Sequence, residues 1–300
     1  MNYVKRIALY KLMGFYMALL LMGGCKMASV TTDYMALSTL SDEQKGRELL
    51  AEAVKAMGYD KLETIESYQA DMEFDWRFPW TLMPMNAVPG SKNKLTRFHF
   101  LPNSFDGQYE NLEGRKKGDI YGLQSWEFYK MEDGRHTASK SEKRAWALAT
   151  YHYLIEGPFR LQHADIVQYA GKAEYEGVTY ELVFATWDTT DPHKGHDQWL
   201  LYIHPETKMV DLVNATIREY FLPMPKNMAE GTVLYKRKKH ESGIYFPEEM
   251  VIQLMSPKKE KKHVYKILMG NLQVDSFSED KLRPIPGLKE YGDAKPETKR

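Results

Sequence analysis

The stretch Tyr68-Gln69-Ala70-Asp71-Met72-Glu73-Phe74-Asp75-Trp76-Arg77-Phe78 alternates without exception. Its aromatic, Ala and Met residues fall on one face and its Gln, acidic and Arg residues on the other, the period of two that gives a strand one dry and one wet side. Twelve further strand-like runs occur near 94–101, 107–113, 118–123, 126–131, 135–139, 165–175, 178–187, 197–204, 209–221, 231–239, 244–255 and 263–275. Turn formers mark their joints: Gly114, Asp133-Gly134, Gly177, Pro205-Glu206-Thr207, Ser242-Gly243 and Ser256-Pro257. Strands so closely spaced leave no room for the crossover helices of a parallel sheet, so the predicted fold class is mainly β (α+β), an antiparallel meander.

Two helices interrupt the strands. Ser41 with Gln44 reads as a capping box, and Leu49, Leu50, Ala53, Val54 and Met57 then recur at helical spacing up to Gly58, a C′ glycine. A second helix is predicted over 141–156, carrying Ala145, Trp146, Leu148, Ala149, Tyr151, Tyr153 and Leu154 and stopped by Gly157-Pro158. No repeat or composition shift divides the stretch between Asp42 and Asp280, so one domain is expected over 42–279, with an extended tail over 280–300.

Composition narrows the function. The 300 residues hold 41 Lys+Arg and 41 Asp+Glu, a formal charge of zero, which removes the basic field of a nucleic-acid binder. At 43% hydrophobic and 13% aromatic the chain has material for a large core. A single cysteine excludes a disulfide framework and any Cys-based metal cluster within the chain.

That cysteine ends a signal-like segment. Lys5, Arg6 and Lys11 make a positive start, residues 12–22 are apolar or small, and Gly23-Gly24-Cys25 follows. Eleven such residues are too few to span a bilayer, which needs about 20, but they suit a signal-peptide core. Leu21-Met22-Gly23-Gly24-Cys25 resembles a bacterial lipobox, which implies removal of residues 1–24 and attachment of acyl chains such as palmitate at Cys25. An ordinary secretory peptide or an uncleaved anchor is the alternative. Lipidation is favoured because a lone exported thiol is otherwise a liability, and several acyl chains anchor firmly where one is marginal. Lys26 is not the Asp that retains many such proteins at the inner membrane, so the resemblance implies an outer-membrane lipoprotein facing the periplasm. Residues 25–41 read as a tether from which a monomeric domain hangs.

Signatures of catalysis are weak. No G-x-G-x-x-G, Walker loop, G-x-S-x-G or H-E-x-x-H occurs. His193 and His196, with Asp191 and Asp197, form the densest polar group, and they suit either a divalent metal or a solvated turn; the turn is preferred, because an i, i+3 His pair on a loop lacks fixed geometry. No cofactor and no metal are therefore assigned. Two basic runs, over 236–240 and 258–263, suit either anionic headgroups or the protection of strand edges.

Apolar residues in loops carry more. Residues 78–90 include Trp80, Met83 and Met85, and residues 221–228 include Met224. Loops normally expose their side chains, and methionine makes an adaptable apolar surface. These loops would either meet a ligand or plug the sheet.

Taken together, the pattern resembles the LolA/LolB-like lipoprotein-carrier fold, an unclosed antiparallel β-barrel with helices over its open side. The resemblance covers about 42–278 and rests on Ala56-Met57-Gly58-Tyr59, the strand at 68–78, and Tyr153-Leu154-Ile155-Glu156-Gly157-Pro158-Phe159-Arg160-Leu161. It also rests on the phrases at 175–184, 201–207 and 242–249. It implies a concave apolar face that binds a lipid, an acyl chain or a lipidated partner without turnover. Met72, Phe74, Trp76, Trp80, Met83, Met85 and Met224 are the expected ligand contacts. A structural envelope lipoprotein with a filled barrel, and a metal-dependent hydrolase on the His193/His196 loop, are the other readings.

Overall fold

The computed structural model describes residues 27–30, 42–82, 94–139, 141–218, 229–255, 257 and 262–288. The strands are β1 (Tyr68–Trp76), β2 (Leu95–Phe100), β3 (Gly107–Asn111), β4 (Ile120–Gln124), β5 (Glu127–Glu132), β6 (Arg135–Ser139) and β7 (Ile166–Tyr175). They continue as β8 (Val178–Thr186), β9 (Trp199–Ile203), β10 (Val210–Thr216), β11 (Glu230–Lys239), β12 (Tyr245–Leu254) and β13 (His263–Val274). Among the described residues the α-helices are α1 (Glu43–Ala56) and α2 (Glu142–Leu161).

All thirteen strands join one antiparallel sheet, in the order β6-β5-β4-β3-β2-β1-β13-β12-β11-β10-β9-β8-β7. Every neighbour is consecutive in the chain except β1 and β13, which pair at the middle. Closure into a barrel would need β6 to pair with β7. The chain instead spends α2 between those two strands, so the sheet stays open there and the helix lies against its inner face. The expected unclosed antiparallel β-barrel is the observed fold, and each predicted strand falls on an observed one.

Turn chemistry explains the hairpins. Asp133-Gly134 and Glu176-Gly177 have positive φ at both positions, the type I′ geometry that suits a twisted two-residue hairpin. Ser125-Trp126 takes the same geometry, with φ of 49° and 65°, without a glycine. Tertiary contacts hold it: Ser125 N–H donates to Asp106 Oδ1 at 2.7 Å, and the Trp126 ring packs on Phe105 at 4.9 Å.

Helix α1 is capped one residue later than the predicted Ser41 box. Asp42 is the N-cap, and its carboxylate accepts from Lys45 N–H at 2.8 Å. Gly58 has φ of 69° and ends the helix as expected, and a Cβ there would lie 2.4 Å from the Gly243 carbonyl. The helix is seated on β7 at Gly46, where a Cβ would stand 2.5 Å from the backbone of Gln168 and Tyr169. Tyr169 N–H donates to the Asp42 carbonyl at 2.9 Å, and Lys45 Nζ lies 3.4 Å from the Tyr169 ring centre.

Helix α2 runs through Gly157-Pro158 to Leu161, five residues beyond its predicted end. Proline removes one main-chain hydrogen bond there, but tertiary interactions outweigh that loss. From Tyr151 to Leu161 every residue but Tyr153 is buried. Arg160 Nε donates to Glu156 Oε2 at 2.7 Å, and Arg160 Nη2 reaches the Pro102 and Ser104 carbonyls at 3.1 and 2.8 Å. Tyr68 of β1 donates to Glu156 Oε1 at 2.5 Å, and Tyr59 donates to the Ile155 carbonyl at 2.7 Å. Burial alone would raise the Glu156 carboxyl; Arg160, His152 and the Tyr68 hydroxyl outweigh it and hold it below the usual carboxylate value.

Both faces of β8 and β9 are apolar. Val183, Ala185 and Leu201 face the inner core, while Leu182, Phe184, Leu200 and Tyr202 join Val30 in an outer cluster. Residues 27–30, read as part of a free tether, therefore pack on the sheet, and Arg218 Nη2 donates to the Ala28 carbonyl at 2.7 Å. The start of the expected tail is likewise docked. Leu282 is fully buried, Arg283 pairs with Asp106 at 3.1 Å, and the Gln124 amide bonds both main-chain groups of Ile285 at 2.8 Å. Lys281 Nζ meets His99 Nε2 at 2.7 Å, and burial together with Lys281 pushes His99 down to about 3, so it accepts as a neutral ring.

Two outcomes follow from these contacts. Gly46→Ala raises helix propensity yet is expected to lower stability by about 1–3 kcal/mol in denaturant unfolding, because β7 cannot retreat from α1. Glu156→Gln is expected to cost about 3–5 kcal/mol at neutral pH by leaving Arg160 buried without its counter-charge. Since the folded-state value of Glu156 is depressed, its contribution is present above the ordinary carboxylate range and lost as pH falls through the folded value. The deficit of the variant should therefore shrink on acidification. A constant deficit across pH would refute this account.

Candidate functional site

The inner face of the sheet is arranged in cross-strand rows. Phe74, Ile267, Met250 and Tyr235 face one another in register across β1, β13, β12 and β11. Phe74, Ile267 and Met250 are buried, and Tyr151 of α2 meets the Phe74 ring edge-on at 5.9 Å. The next row toward the end of the sheet is Trp76, Tyr265, Ile252 and Val233. All four are only half buried. Trp76 stacks on Tyr265 at 4.3 Å, and Trp76 Nε1 is buried without a hydrogen-bond partner. The helix thus packs on the inner zone, and the row beside it is partly buried against the same core.

A cavity of about 230 Å³ opens at the rim next to this row. Arg77, Phe78, Pro79 and Trp80 line it from the end of β1, and Leu254, Lys262, His263 and Val264 line it from β12 and β13. Arg77 N–H donates to the Val264 carbonyl at 3.0 Å, which continues the β1–β13 ladder past Trp76. By alternation Arg77 and Val264 belong to the outer face, so the cavity straddles the rim. Trp80 N–H donates to the Arg77 carbonyl at 2.8 Å and starts a short 3₁₀ turn over Trp80–Leu82. Phe78, on the dry side of the sequence pattern, is 73% exposed because it lies past the last strand pair.

Arg77, Lys262 and His263 bring basic side chains to the rim. Among the described residues no carboxylate forms an ion pair with Arg77 or His263. Burial first, then Lys266 and Arg77, depress His263 below the ordinary histidine value, with Asp75 pulling the other way.

Of the residues expected to contact a ligand, Met72 and Phe74 are 0% and 1% exposed and belong to the packing beneath α2. Trp76 lies in the partly buried row stacked on Tyr265, and Trp80 lines the rim cavity. Met83, Met85 and Met224 lie outside the described residues, as does Cys25. Tyr265, Ile252 and Val233 were not singled out in the sequence, although their strands show the alternation that places them inward.

The other candidates are used locally. The His193 and His196 rings stack at 5.4 Å, and His193 Nδ1 accepts from Gly195 N–H at 3.0 Å. Asp197 Oδ1 accepts from Thr216 Oγ1 at 3.1 Å and Arg218 N–H at 3.0 Å, tying the loop to β10. Among the described residues no three His, Cys, Asp or Glu side chains converge to hold a metal. In the first basic run Lys236 pairs with Glu248 at 3.3 Å, and Arg237 donates to the Val210 carbonyl and lies over the Tyr235 ring. In the second, Lys262 and His263 reach the rim cavity and residues 258–261 lie outside the described residues. Among the described residues no helix is long and apolar enough to cross a membrane.

No family model matches the sequence, and no curated protein matches it. Solved structures do match. A domain from Vibrio parahaemolyticus, described as an outer-membrane lipoprotein-sorting protein, superposes with a TM-score of 0.50 at 10% identity, over 81% of this chain and 98% of its own. A DUF1329 family protein from Desulfovibrio piger matches with a TM-score of 0.48 at 10% identity, over 81% and 98%. A LolA superfamily protein from Nitrosomonas europaea matches with a TM-score of 0.47 at 10% identity, over 79% and 96%. At such identity the likeness is one of fold, and the fold of this chain is LolA-like: an antiparallel sheet left open, with a helix seated in the opening.

Proposed function

We propose that this chain is an exported lipoprotein, anchored through acylated Cys25, that holds a hydrophobic ligand at the open end of its half-barrel without chemical turnover. The observation that carries the reading is the row Trp76, Tyr265, Ile252 and Val233, apolar, inward-facing and half open beside a cavity. Each methylene of an acyl chain laid on such a row gains about 0.8 kcal/mol, so a few turns of chain offset the cost of ordering it. The ligand would be a lipid, an acyl chain or a lipidated partner. The packed residues 27–30 leave little free chain between Cys25 and the folded body, which favours a domain held close to its membrane, the periplasmic side of the outer membrane.

A second reading has its own support. Met72 and Phe74 are buried beneath α2, as a structural envelope lipoprotein with a filled barrel would have them. Native mass spectrometry of the protein purified without detergent separates the two. A retained lipid, lost in Ile252→Asp while thermal unfolding shows that variant folded, is the expected result; a clean apo mass with no uptake of a fatty-acyl probe would leave the filled shell. For the anchor, labelling of growing cells with a palmitate analogue should mark the protein and fail to mark Cys25→Ser.

A further inference from the structure

We propose that the anchor turns one end of the half-barrel toward the bilayer: the edge that runs from Arg218 to Phe78, with Phe78 set against the membrane surface. This rests on the lipoprotein reading given above and adds the orientation of the folded domain on its membrane.

Strand pairing traces the edge. Thr216 at the end of β10 pairs with Glu230 of β11, Gly231 pairs with Leu254 of β12, and Gln253 pairs with His263 of β13. Arg77 N–H then donates to the Val264 carbonyl, so these ends of β10, β11, β12, β13 and β1 lie side by side. At roughly 4.8 Å between neighbouring strands, Arg218 and Phe78 stand about 20 Å apart along the edge.

The chain after Cys25 is pinned to the same edge. Ile217 N–H donates to the Ala229 carbonyl at 2.8 Å and Arg218 N–H to Asp197 Oδ1 at 3.0 Å, which fixes the backbone just past β10. Arg218 Nη2 donates to the Ala28 carbonyl, and Val30, 1% exposed, packs in the outer cluster with Leu200 and Leu212. Fully extended, the chain from Cys25 to Ala28 reaches at most about 11 Å. The way from Arg218 along β10 to the turn at Glu206, at the far end of the sheet, is about 30 Å. An acylated Cys25 therefore holds the Arg218 edge near the bilayer and allows the domain either to stand on that edge or to lie on its outer face. Phe78 selects between the two. It lies past the last β1–β13 pair on this edge and is 73% exposed, against 43% for Leu268 on the outer face of β13. Standing on the edge removes the more exposed apolar side chain from water.

The test is photo-crosslinking in cells that make the full chain, with Phe78→p-benzoylphenylalanine or, on the exposed far turn, Glu206→p-benzoylphenylalanine, beside the palmitate-analogue labelling. Lipid adducts are expected at Phe78 and not at Glu206. The Phe78 adduct should fall severalfold when about twenty Gly-Ser residues are inserted after Lys26, since a flexible tether of that length no longer sets orientation. With palmitate labelling intact, adducts at Glu206 equal to those at Phe78, a protein adduct in place of lipid at Phe78, or a Phe78 adduct unchanged by the insertion would each overturn the orientation and leave the anchor standing. Absence of palmitate labelling would remove the anchor and the orientation together.

Discussion

Helix α2 governs this molecule because it occupies the one place where strand pairing would otherwise close the sheet. A meander whose first and last strands pair at the centre needs only β6 against β7 to become a barrel, and the chain places twenty helical residues between them. Those residues must be held down. The ion pair of Glu156 and Arg160 does this from within the core, with Tyr68 on one side and the Pro102 and Ser104 carbonyls on the other. A buried pair of this kind is weak evidence for stability as such, yet with its partners satisfied it specifies one position for the helix, because any shift leaves a charge buried alone.

The seated helix also decides what the concave face can do. Where it lies, the dry side of β1 becomes ordinary core, and Met72 and Phe74 are structural. The same inward pattern continues for one more row, Trp76, Tyr265, Ile252 and Val233, which packs against the core but is only partly buried. The rim cavity begins where the ladder ends, since Arg77 N–H donating to the Val264 carbonyl continues the β1–β13 pairing past Trp76.

The outer face is treated differently along the sheet. Over β2–β4 it is polar and is sealed by the C-terminal segment through Lys281, Arg283 and Ile285. Over β8 and β9 it is apolar, and Val30 packs there. Strands with the run Leu182-Val183-Phe184-Ala185 have no wet side, which is the pattern expected of a strand covered on both faces rather than of a surface strand.

Much of this was written locally in the chain. Alternation marks β1, Asp133-Gly134 and Gly177 mark their hairpins, and Gly58 marks the end of α1, because each depends on backbone preferences or periodicity within a few residues. The Ser125-Trp126 turn and the passage of α2 through Gly157-Pro158 break those local rules, and distant groups make them stable: Asp106 and Phe105 for the turn, Arg160 and its carbonyl partners for the helix. The site divides in the same way. Sequence alone determined an antiparallel meander with inward apolar faces and aromatic residues at the end of β1. Which inward residues are covered by α2 and which stay half open, and that Arg77, Lys262 and His263 share one cavity, was decided by tertiary structure alone, because register between strands far apart in sequence is fixed by their pairing and not by either strand's own pattern.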